Sequence, residues 1–67
     1  MPLPGAESPL AESRRRAVFA ALVNAQDRGI AVPLSRWLVA GRFDITEGQV
    51  VRIEREGLDH NWPPLYA

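Results

Sequence analysis

The sequence predicts an all-α fold: a small three-helix bundle with a helix-turn-helix in its C-terminal half and an apolar Trp-Pro-Pro tail. Three observations predict it. Apolar residues recur at helical spacing through three segments, and no strand-like alternation or internal repeat interrupts them. Start and stop signals bound those segments: Ser8-Pro9 and Gly29 around the first, Pro33 before the second, Thr46 and Trp62-Pro63-Pro64 around the third. Asp44 lies between the second and third, where a turn favours a residue able to adopt left-handed backbone. The 67 residues allow one domain at most.

Residues 1–7 contain Pro2, Pro4 and Gly5 and are expected to form a flexible leader. Residues 8–61 are assigned to the helical domain and 62–67 to the tail. Ser8 is suited to cap helix one, with Pro9 at its first helical position and Glu12 near the positive end of the dipole. The helix is expected to run to about Arg28, with Gly29 just beyond its end. Val18, Ala21, Leu22 and Ala25 share one face, and Phe19 and Val23 widen it. The arc exceeds the roughly 100° needed to rest on one surface. Helix one is therefore expected to touch more than one neighbour: the tail, a second subunit or a partner.

Ile30-Ala31-Val32 reads as a connector, and Pro33 as the first position of a helix two that runs to about Arg42. Trp37 is expected in the core or in the wall between core and surface. Thr46 opens helix three, and Gln49 three residues later completes a capping box. Val39, Phe43, Ile45, Val50 and Ile53 form the inner set, with Ala40 small where the helices cross closely. Gly57 either ends helix three or sits inside it at a cost near 1 kcal/mol, in which case the helix reaches about Asn61. Two consecutive prolines then stop it.

The stretch from residue 36 to 58 resembles the helix-turn-helix of bacterial sigma-factor region four. The resemblance is carried by Phe43-Asp44-Ile45-Thr46, set against a Leu-Gly-Leu-Ser turn. Val50, Ile53-Glu54 and Gly57-Leu58 fall where that family has Val, Ile-Glu and an Ala-Leu pair. Asp44 stands where the family has glycine, and Gly57 where it has alanine. Glu47 and Gln49, with Gly48 between them, stand where it usually has arginines. The resemblance implies a fold that sets its last helix into the major groove of DNA, and a role in transcription.

Composition excludes several classes. No cysteine is present, so disulfides and thiolate metal sites are excluded; His60 is the only histidine, so a zinc site with several histidines is excluded too. No metal and no cofactor are expected. No apolar run is long enough to span a bilayer. MPLPGAESPL lacks a basic n-region and an apolar h-region, so no secretory signal and a cytoplasmic protein are expected. Eight arginines balance eight acids, and no lysine occurs. Zero net charge argues against indiscriminate nucleic-acid binding, whereas arginine alone suits phosphate and guanine. Asp59 with His60, and Ser8, Ser13 or Ser35, make no set of nucleophile, base and orienting group, so no enzyme and no small-molecule ligand are expected.

Turning helix three at about 100° per residue puts Val50, Ile53 and Gly57 inward and Gly48, Arg52 and Arg55 outward, flanked by Gln49 and Val51. Gln49 is suited to read adenine and Arg52 guanine, while Gly48 permits close approach. Glu47 opens the same surface. Arg14, Arg15 and Arg36 are candidates for phosphate contacts. They could equally pair with acids, Arg36 with Glu54 among them. The tail offers Trp62, Leu65 and Tyr66, either as a strap over a thin core or as an anchor for another protein, with Phe19 a further candidate contact.

These residues point to a small bacterial DNA-binding protein acting in transcription. Helix 47–57 would read double-stranded DNA as a homodimer or within a larger complex, for example with RNA polymerase. The alternative is a non-catalytic accessory module that binds a larger protein through helix 8–28 and the segment Trp62–Tyr66.

Overall fold

A computed structural model of the chain describes residues 10–64. Three helices pack mutually: α1 (Glu12–Asp27), α2 (Val32–Phe43) and α3 (Glu47–His60). The architecture is the all-α three-helix bundle that the apolar periodicity predicts.

Helix α1 begins later than expected. Ala11 is its N-cap, with φ −56° and ψ 148° and no side-chain cap, and Leu10 is not helical. Ser8 and Pro9, the expected cap and first position, lie outside the described residues. Arg15 Nη1 donates to the Leu10 carbonyl, and the amides of Arg14 and Arg15 both bond to Ala11 O at 3.0 Å. Leu10 is thereby held half-buried against the core.

All three helices end alike. Gly29 (φ 89°), Asp44 (φ 58°) and Asn61 (φ 53°) adopt left-handed backbone. The next residue in each case donates its amide back five positions: Ile30 to Ala25 O at 3.2 Å, Ile45 to Ala40 O at 3.0 Å, Trp62 to Gly57 O at 3.0 Å. These are Schellman closures, with an apolar residue placed directly after the left-handed one. Pro33 occupies the second rather than the first position of α2, where its missing N–H still has no intrahelical partner to lose. The capping box is formed as predicted: Gln49 N donates to Thr46 Oγ1 at 3.0 Å, and Thr46 N donates to Gln49 Oε1 at 2.9 Å.

The core consists of Val18, Phe19 and Leu22 from α1, Val39 and Ala40 from α2, Val50 and Ile53 from α3, and Trp62. Gly57 lies inside α3, and the Phe19 ring fills the space a side chain would take there. Phe19 meets Trp62 edge to face, with centroids 6.1 Å apart. Ser35 is buried but satisfied: its hydroxyl donates to Val32 O at 2.7 Å and accepts from Gln26 Nε2 at 3.2 Å.

The two tryptophans settle differently. Trp62 is the strap, 4% exposed. Trp37, expected in the core or its wall, is 60% exposed. The inner stripe of α2 is Ser35, Val39 and Ala40, and two residues past Ser35 is a rotation of about 200°, which carries Trp37 to the outer side.

Candidate nucleic-acid interface

Helix α3 sorts its charges by face. Val50, Ile53 and Gly57 point into the core, while Gly48, Arg52 and Arg55 lie exposed on the opposite side with Val51 beside them. The acids on either side of Arg55 turn sideways to the other helices. Glu54 Oε1 accepts from Arg36 Nε of α2 at 3.0 Å and forms an ion pair with Nη2 of the same guanidinium at 2.8 Å. Glu56 meets Arg15 of α1 in a forked pair, with Nε to Oε1 at 2.8 Å and Nη2 to Oε2 at 3.0 Å. The hydrogen bonds from Arg15 hold the Glu56 carboxyl below its ordinary pKa, and those same bonds raise the Arg15 guanidinium above its own.

The outer face therefore keeps Arg52 and Arg55, which have no hydrogen-bond or ion-pair partner among the described residues. Glu47 and Asp59 are the exposed acids of this helix, near its two ends. A shallow groove of about 270 Å³ runs along the flank, lined by Arg36, Val51, Glu54, Arg55, Leu58 and Asp59. Glu47 opens the first turn, where it favours the helix dipole but disfavours a phosphate.

Several sequence candidates are committed elsewhere. Arg15 and Arg36, read as phosphate contacts, are tied into the pairs with Glu56 and Glu54. Arg14 Nη2 donates to the Phe43 carbonyl at 2.9 Å, and its guanidinium lies over the Phe43 ring at 5.4 Å. The run Arg14-Arg15-Arg16 is thus no common clamp, since Arg16 pairs with Glu12 at 2.9 Å and lies over Trp62 at 5.0 Å. Gln49, expected to read adenine, spends its Oε1 on the capping box and is half-buried. A paired contact to adenine would require it to leave that cap.

The proposed partner anchors also change. Phe19 is 1% exposed and Trp62 is buried with it, so neither offers a side chain to another protein. Leu65 and Tyr66 lie outside the described residues. The large apolar side chains that do face solvent among the described residues are Val32, Leu34, Trp37 and Leu38 on α2 and Val51 and Leu58 on α3. A helical projection of α2 carries that signal, because Leu34, Trp37 and Leu38 fall together opposite Ser35 and Val39. Arg42 was also missed; it is exposed in the last turn of α2, over Phe43 at 5.7 Å.

Among the described residues no three His, Cys, Asp or Glu side chains gather where they could hold a metal ion, and no helix is long and apolar enough to cross a membrane. No protein-family model, no curated protein and no solved structure matches this chain.

Proposed function

We propose that the chain is a helix-turn-helix protein that binds double-stranded DNA through the outer face of α3 and acts in transcription. One observation carries the reading: α3 turns Glu54 and Glu56 aside to pair with α2 and α1, and leaves Arg52 and Arg55 unpaired on the exposed face. An acid-rich helix thereby presents arginine where base edges would lie. Arg52 and Arg55 are the groups for guanine O6 and N7, Val51 supplies an apolar contact for a thymine methyl, and Gly48 lets the helix approach closely. The capping box and the Asp44 turn support the reading by fixing where α3 starts.

So few free cations neutralise few phosphates. For two, log affinity should fall with log salt at a slope of about −2 per copy, far shallower than for a strongly basic binder. Fluorescence anisotropy on a random-sequence duplex at two salt concentrations tests this, followed by selection of a preferred site. Arg52→Ala should cost about 1–3 kcal/mol on that site and relax its sequence preference. No duplex binding at low salt, or binding indifferent to both Arg52→Ala and Arg55→Ala, overturns the proposal.

A second reading, a non-catalytic interaction module, rests on a different observation: Trp37 stands 60% exposed on α2 beside Leu34 and Leu38. Large exposed apolar groups of this kind mark protein contacts.

A further inference from the structure

Nothing among the described residues explains Gly41. It lies inside α2, where glycine is disfavoured against alanine. Gly57 is explained by the Phe19 ring and Gly29 by its positive φ, but a Cβ built at Gly41 meets nothing within 4 Å. Gly41 also completes a stripe. Leu34, Trp37, Leu38 and Gly41 follow the i, i+3, i+4, i+7 spacing of a helix face that packs against another surface. Yet Leu34, Trp37 and Leu38 are 50%, 60% and 42% exposed. Beside them opens a groove of about 500 Å³, whose lining includes Trp37, Leu38, Gly41, Ile45, Thr46 and Glu47.

We propose that this face of α2 is a self-association surface, on which a second copy of the chain packs with its Trp37 against the bare backbone at Gly41. Three features fit a second copy. The first is area. At about 200 Å² per large side chain, Leu34, Trp37 and Leu38 leave roughly 300 Å² of apolar surface in solvent. A stable interface needs about 800 Å² per partner, about two-thirds of it apolar in homodimers. Ile45 in the groove wall and the stem of Arg42 add to this area, so the face is sized for a weak, concentration-dependent dimer. The second is charge. The stripe carries none, and Arg42, Glu47 and Asp44, whose amide bonds to Gly41 O at 3.4 Å, lie near its borders, so each copy brings both signs of charge. The net charge of zero adds no long-range repulsion between copies. The third is shape. A bulky Trp37 and an empty Gly41 lie one helical turn apart on the same stripe, so a two-fold axis can set each Trp37 against the other copy's Gly41.

The proposal does not rest on the DNA reading, because no DNA enters its test. Sedimentation velocity of the full chain, from micromolar to millimolar concentration, should show twice the 7.4 kDa chain mass at the upper end. Amide shifts on dilution should concentrate at residues 34–41 and 45–47. Trp37→Gln removes an exposed side chain, leaves the core intact and should weaken association at least about tenfold. Gly41→Ala gives a second readout that a purely structural role does not: it should raise the melting temperature in dilute solution while weakening the dimer. Monomeric mass at every concentration overturns the proposal and leaves the face to a different partner. A dimer unaffected by Trp37→Gln overturns it as well, since the contact then lies on another face. A monomer in which deletion of residues 1–9 shifts the Trp37 amide also overturns it, by assigning the face to the chain's own N-terminal segment.

Discussion

Replacing Gly57 by alanine should destabilise this protein, although helix propensity alone says the reverse. An alanine inside a helix gains about 1 kcal/mol over glycine. At Gly57 the new methyl carbon would stand 2.2 Å from Phe19 Cδ1, 2.4 Å from Cε1 and 2.5 Å from Cγ. Non-bonded carbons rest about 3.5–4.0 Å apart, so more than an ångström of separation must be found. Phe19 cannot retreat cheaply, being 1% exposed and held edge-on to Trp62. Overpacking of this depth belongs at the upper end of about 1–3 kcal/mol, or beyond it. The net loss should be about 2 kcal/mol, or a fall in melting temperature on the order of 10 °C for a domain this small. Thermal melts by circular dichroism measure it, with Gly41→Ala as the internal control. That site is open, so the same substitution should raise the melting temperature by roughly 4 °C. Phe19→Leu should cost less in the Gly57→Ala background than alone, because it makes room for the methyl. A melting temperature unchanged or raised by Gly57→Ala would refute the placement of Phe19 on that glycine.

Other outcomes follow from the same contacts. Thr46→Ala removes the cap that accepts from Gln49 N and should cost about 1 kcal/mol; an unchanged melt would mean the box contributes nothing. Trp62→Ala empties a buried site in the core and should cost about 3–5 kcal/mol, comparable with the whole stability of the domain, so helicity should collapse in circular dichroism. The Glu56 carboxyl is held below its ordinary pKa by the hydrogen bonds from Arg15, so the unfolded chain binds its proton first. The stability it contributes is therefore complete above the ordinary glutamate value and is lost as pH falls through the depressed one. Denaturant titrations across the acid range should show that loss, and Glu56→Gln should flatten it.

What the sequence disclosed was local. Thr46 with Gln49, and Asp44 in the turn, act through bonds spanning a few residues, and their chemistry is visible in the residue types themselves. The inward set Val50, Ile53 and Gly57 follows from helical spacing alone. The rest depends on which distant residue a side chain finds. Arg15 could have faced a phosphate; it meets Glu56, 41 residues on. Arg36 was open between phosphate and Glu54, and only the packing of α2 on α3 decides for Glu54. The places of Trp37 and Trp62 were legible in part. The turn from Ser35 to Trp37 could have been counted, whereas Trp62 reaches the core because Asn61 turns left-handed. The three helix ends share one pattern: a small residue, then a left-handed residue four positions later, then an apolar one. Three different residues, Gly29, Asp44 and Asn61, hold the left-handed place, and that variety hid the repetition.

Those ends bear on how the molecule meets anything else. Ile30, Ile45 and Trp62 each follow the left-handed residue at a helix end and bond back into its last turn, so no connection begins with free backbone. Between α2 and α3 the connection is only Asp44, Ile45 and Thr46; the first is wound left-handed, the second packs against the core, and the third is capped to Gln49. A linker spent in this way has no residue left to act as a hinge. The faces of α2 and α3 are therefore held in one fixed relation, and any association through them would order side chains rather than backbone.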